Sequence, residues 1–138
     1  MSRSDYVDDC DDSLAMGRWR AQVMSAIRGK RGQKLLRDLA EALDAMPEKK
    51  LIANELKANG GYCALGVLGE KRGLNLDIID PEDSETVADQ FDIAEQLARE
   101  IVYQNDEASC SWNSPENRWK YMRNWVDEHL MKAKQEHQ

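Results

Sequence analysis

The sequence predicts a mainly α fold: a single compact domain of about six helices, with room for one short β-hairpin near residues 51–62. Three observations carry this expectation. Ala and Leu together number 27 against 13 for Val, Ile and Thr, and small or unbranched side chains lose less rotamer freedom in a helix than β-branched ones do. Apolar residues recur at three- and four-residue spacing through most of the chain. Capping residues, prolines and glycines stand where those stripes begin and end. A length of 138 residues fits one domain, and a core of that size folds without a disulfide or metal.

Residues 1–12 hold five Asp and one Arg and read as an acidic, disordered lead-in, followed by a helical domain over 13–131 and a polar tail over 132–138. From Ser13, a candidate N-cap, Met16, Trp19, Val23 and Ile27 form one stripe, which predicts a helix over 14–28. Arg28-Gly-Lys-Arg-Gly32 interrupts the pattern twice with glycine. Leu35, Leu36, Leu39, Ala40, Leu43 and Met46 then make a second stripe, ended by Pro47, so two antiparallel helices follow.

Residues 47–61 admit two readings. As a helix, Pro47 takes the first position, Leu51, Ile52 and Leu56 face inward, and Asn59-Gly60 supplies a left-handed cap. As a hairpin, residues 51–56 lead through an Asn-Gly turn into a short return at Tyr62. Period-two alternation is absent, which favours the helix. Leu65, Val67 and Leu68 predict a further short helix over 62–72, stopped by Gly73.

Asp80-Pro81-Glu82-Asp83 combines a capping side chain, a first-turn proline and acids at the positive end of the helix dipole, and so predicts a helix start. Asp92-x-x-Glu95 has the form of a capping box and predicts a fresh helix with Ile93, Leu97, Ala98, Ile101 and Val102 on its broad apolar face. Residues 103–113 read as a polar loop. Ser114-Pro115-Glu116 starts the last helix, with Trp119, Met122, Val126 and Leu130 inward.

The net charge of -7 disfavours a role as a nucleic-acid coat or membrane binder. The distribution says more than the sum. Residues 13–37 carry seven basic side chains and no acid, whereas 77–107 carry eleven acids and one Arg, and blocks of opposite sign favour attraction within one fold. No apolar run approaches the roughly 20 residues that span a bilayer, and residues 1–12 lack a signal peptide's apolar stretch. A soluble, cytoplasmic protein is expected. Three cysteines, Cys10, Cys63 and Cys110, are an odd number without a C-x-x-C pair, which argues for reduced thiols.

Three segments resemble small uncharacterised proteins of bacteriophages and prophages. They are Arg28-Gly-Lys-Arg-Gly-Gln33 leading into a Leu/Ala helix, Cys63-Ala-Leu-Gly66 opening a short helix, and Asn105-Asp-Glu107 followed by Ser114-Pro-Glu-x-Arg-Trp119. The resemblance spans about residues 17–130. It implies one compact domain in the cytoplasm of a bacterium or an infected host cell, and it brings no activity and no catalytic residue with it.

Four constellations have chemical potential. Arg20, Arg28, Lys30, Arg31 and Lys34 are candidates for phosphate contacts, although no aromatic side chain is interleaved for base stacking beyond Trp19, which the apolar stripe claims. Cys63, at a helix start, is a candidate nucleophile, because unpaired amides and the helix dipole favour its thiolate. Asp106 is the candidate acid or orienter beside it, in a cysteine-dependent hydrolase or transferase. The competing reading makes Cys63 a small core residue. Cysteine and histidine spacings fit no zinc site, the Asn105-Asp106-Glu107 run lacks a calcium loop's glycine, and Gly29-x-x-Gly32 and Gly66-x-x-Gly69 are not phosphate loops. No metal and no cofactor is expected. Trp112, Tyr121 and Trp125 are candidate anchors for a partner, being large and rigid with a polar handle. The leading expectation is a non-enzymatic protein that binds a host or phage protein through residues 103–125, with no membrane partner and no preference among oligomeric states.

Overall fold

A computed structural model describes residues 13–108 and 114–131. The predicted lead-in, the polar tail, Cys10, Cys110, Trp112 and His137 lie outside these described residues. The fold is mainly α, with six α-helices and one two-stranded hairpin among the described residues. Helices α1 (Ser13–Arg28) and α2 (Lys30–Ala45) are joined at Gly29, and α3 (Ala64–Arg72), α4 (Ser84–Phe91), α5 (Glu95–Tyr103) and α6 (Pro115–His129) follow. A 3-10 turn, Leu76–Ile78, separates α3 from α4, and a π-helical turn, Gln104–Ala108, extends α5.

Helices α2 and α5 are the centres of packing. α2 lies against α1, α3 and α6, while α5 lies against α1, α3 and α4. The stripe predicted for α2 is the one buried: Leu35, Leu36, Leu39 and Leu43 are all at most 1% exposed. α2 begins earlier than its stripe, at Lys30, so only Gly29 interrupts the helical path and Gly32 lies within the first turns. None of the described helices is long and apolar enough to cross a membrane.

The helix favoured over 47–61 is not formed. The chain runs irregularly from Pro47 to Leu56 and then makes an antiparallel pair of two-residue strands, β1 (Lys57–Ala58) and β2 (Gly61–Tyr62), in register Lys57 to Tyr62. Asn59 (φ 52°) and Gly60 (φ 81°) form the turn, both left-handed as a tight hairpin with the strands' own twist requires. Three apolar residues do not sustain a helix whose backbone groups have better partners elsewhere. Leu51 and Leu56 are buried all the same, Leu51 N–H donating to the Pro115 carbonyl and Ile52 N–H to the Tyr62 carbonyl, each at 3.0 Å. Gly66 locks this segment against α3, because a Cβ there would fall 1.9 Å from the Leu56 carbonyl oxygen.

Two predicted helix starts are displaced. Asp80 and Pro81 make a turn, closed by Asp83 N–H on the Asp80 carbonyl at 3.1 Å. α4 is capped by Asp83, whose carboxylate accepts from Thr86 N at 3.3 Å and Thr86 Oγ1 at 2.8 Å. Asp80 and Pro81 suit the first two positions of a β-turn as well as they suit a cap. Asp92 opens no capping box. It closes α4 in the left-handed conformation (φ 58°, ψ 51°), which a short polar side chain tolerates. α5 starts from Ala94 without a side-chain cap, and Glu95 instead accepts from Ser84 Oγ at 2.6 Å.

Candidate functional site: a polar seam beside the π-helical turn

The segment expected as a polar loop begins as a π-helical turn, a form that recurs at functional sites in other helices. Within it Asn105 and Asp106 are 1% and 3% exposed. Asn105 occupies the position that continues the Leu97–Ile101 stripe by four residues, so it points where an apolar residue would. Its Oδ1 accepts from Ala64 N at 3.1 Å, and its Nδ2 donates to the Ile52 carbonyl at 2.9 Å and to Asp106 Oδ1 at 2.7 Å. The same Asp106 oxygen accepts from Asn54 N at 3.1 Å. One turn of α5 thus supplies partners for the irregular segment and for the first amide of α3.

Arg118 closes this cluster from α6. It is 4% exposed, its Nε donates to the Asn105 carbonyl at 2.8 Å, and its Nη2 is buried without a hydrogen-bond partner among the described residues. Sequence reading missed both Asn105 and Arg118. The available signal was periodicity: Arg118, Met122 and Val126 share one i, i+4 stripe, and a polar residue on a buried stripe must find partners inside.

A second chain of contacts leads outward from the same turn. Arg20 of α1 grips the buried Glu100 with two bonds, Nη1 to Oε1 at 2.7 Å and Nη2 to Oε2 at 3.3 Å. Gln104 Nε2 donates to Glu100 Oε2 at 2.9 Å, and the Tyr121 hydroxyl donates to Gln104 Oε1 at 2.6 Å. Beside it, the Arg99 guanidinium lies 4.8 Å from the Trp19 ring centroid.

The predicted residues separate accordingly. Cys63 is 1% exposed and serves as the N-cap of α3, its Sγ accepting from Gly66 N at 3.4 Å. Asp106 is brought close to the start of α3 through Asn105, and its Oδ1 is occupied in holding backbone. His129 belongs to a different region, with its ring 4.6 Å from that of Trp125. Tyr121 is half-buried. Trp125, expected partly off the inner face, is 6% exposed and part of the core, because the α6 stripe is broad enough to include it beside Val126.

In the basic segment, Arg20 pairs with Glu100, Arg31 with Asp92 at 3.3 Å and Lys34 with Asp38 at 3.1 Å. Two of these pairs join the basic block to the acidic one. Arg28 and Lys30 are exposed. Among the described residues, no three His, Cys, Asp or Glu side chains gather as a metal ion would require. Comparisons of this chain with models of protein families, with curated proteins and with solved structures return no match.

Proposed function

We propose that this chain is a non-enzymatic accessory protein of phage or prophage type that binds a host or phage protein and thereby interferes with a host process such as defence. The setting comes from the resemblance of its Arg28–Gln33, Cys63–Gly66 and 105–119 segments to small phage and prophage proteins. The observation that carries the binding role is the fixation of Tyr121. Its side chain packs partly against the core and keeps some exposure, while its hydroxyl is tied through Gln104 and Glu100 to Arg20 on another helix. An aromatic side chain held in this way loses little rotamer freedom on binding, which is what makes an anchor effective. The groups needed for a cysteine hydrolase speak less well for that alternative, since Cys63 Sγ and Asp106 Oδ1 both accept bonds from backbone amides.

The test is recovery of the tagged protein from bacterial lysate, with nuclease treatment and mass spectrometry, in parallel for the native chain, Tyr121→Ala and Trp112→Ala. A specific protein should survive nuclease and be lost at least about tenfold with either substitution, as for an interface hot spot. Capture that is unchanged by both, with thermal melts also unchanged, would remove the 103–125 surface.

A further inference from the structure

A second surface has a different character. Where the C-terminal ends of α1 and α6 meet, a groove of about 490 Å³ is lined by Met24, Arg28, Asp127, Glu128, Leu130 and Met131, among others. Its backbone is held rigidly by the buried Gln33. That amide donates from Nε2 to the Ile27 carbonyl at 2.8 Å and the His129 carbonyl at 3.0 Å, and its Oε1 accepts from Met131 N at 2.8 Å. The two walls are therefore fixed to each other through one side chain. Met131 stands 45% exposed at the rim, and methionine is the apolar side chain best able to fill an irregular hole.

The charges on this rim are of both signs. Arg28, Asp127 and Glu128 are all exposed, and none of them takes part in an ion pair among the described residues. A partner surface of one sign would be repelled by one wall. The surface that matches is one that carries an apolar knob, a cation and a pair of carboxylates, which is a description of the groove itself. Two-fold symmetry requires such self-complementarity, each residue i meeting j while j meets i. We infer that this groove is a two-fold interface between two copies of the chain, Arg28 of each facing Asp127 and Glu128 of the other across the apolar lining of Met24, Leu130 and Met131. The net charge of -7 opposes unspecific association, so local pairing must direct it. The inference is independent of the role given to Tyr121. A dimer would present that surface twice and raise avidity without a new contact.

Charge reversal tests this with an internal control. Sedimentation velocity over a concentration series should show self-association of the native chain. R28E alone and D127K/E128K alone should each associate at least about tenfold more weakly, because like charges then face each other twice. Mixed in equal amounts, the two variants should recover a heterodimer, since both sets of facing charges become opposite again. Met131→Lys, an exposed substitution that leaves the charged rim intact, should weaken association as well. Circular dichroism confirms that each variant is folded, and Met131→Lys decides the matter if a reversal variant is not. A native chain that remains monomeric throughout overturns the inference. Association that the substitutions leave unchanged, or a mixture that stays monomeric, overturns it equally, including the case in which a foreign protein occupies the groove.

Discussion

Helix α2 and the segment from Met46 to Cys63 are neighbours in the chain and opposites in how they are held. α2 satisfies its own backbone and buries a continuous leucine stripe, so its local preference and its tertiary role agree. The 46–63 segment has two residue pairs of strand and a few local bonds, Ile52 N–H to the Tyr62 carbonyl and Cys63 N–H to the Leu56 carbonyl among them, and it takes further hydrogen bonds from distant parts of the chain: Pro115, Asn105 and Asp106. The difference teaches that burial alone does not make a segment regular. Leu51 and Leu56 are buried like the α2 leucines, yet the backbone between them, at Ile52 and Asn54, is fixed by the Asn105 and Asp106 side chains some fifty residues away.

The largest expected effect is in α2. Leu39→Ala, at a fully buried site, should cost about 3–5 kcal/mol through lost transfer energy and a residual cavity. Denaturant unfolding measures it, and hydrogen exchange should show protection falling across the whole domain. Asn105→Ala should cost about 2–4 kcal/mol, because it leaves the Ala64 amide and the Ile52 carbonyl without their side-chain partner. Its exchange signature should be local, with amides at 52–64 opening before those of α2. Uniform loss of protection in Asn105→Ala would erase the contrast between the two regions.

Cys63→Ser should change stability by no more than about 1 kcal/mol. The buried site disfavours a hydroxyl, but the Gly66 amide already donates to this position and serine is a preferred N-cap. Alkylation of native Cys63 should be slow and limited by opening of the chain. Rapid labelling near neutral pH would make the 46–63 segment a lid rather than a fixed element and would revive the hydrolase reading.

The smallest effect belongs to the ion pairs at the edges of α2. The carboxyl of Asp44 is held below its ordinary value by the hydrogen bond from Arg123, against a small upward push from burial. Burial pushes Asp38 up, and the bonds from Arg72 and Lys34 outweigh it and leave that carboxyl lowered as well. A folded-state value below the unfolded one means that the native chain binds fewer protons. The contribution is therefore complete above about pH 4 and is lost as pH falls through the lowered values. Asp44→Asn, at a pair whose Asp side chain is 55% exposed, should cost at most about 1 kcal/mol near neutral pH. Denaturation midpoints taken from about pH 5 to about pH 2 should show the native chain losing that advantage over the variant.

The helices with a clean stripe and a strong cap were legible: α1, α2, α6 and the Gly73 end of α3 stand within a few residues of where periodicity and capping place them. The displaced starts at Asp80 and Asp92 were ambiguous for a local reason. Aspartate followed by proline suits a turn as well as a cap, and aspartate tolerates the left-handed conformation that ends a helix. The candidate residues were less legible than the elements. Nothing local distinguishes an exposed Trp125 from a buried one at the margin of a stripe, and the polarity of Asn105 and Arg118 hid the fact that both continue a buried face.

What the sequence determined by itself is the helical class, the single domain and most helix ends, because rotamer entropy, periodicity and caps act over a few residues. The tertiary structure decided the rest. It chose the irregular course of 46–63, the inward turn of Asn105 and Asp106 and the Arg20–Glu100–Gln104–Tyr121 chain, because each is a hydrogen-bond requirement met across the fold. Whether a buried polar atom has a partner is settled only when distant segments are brought together.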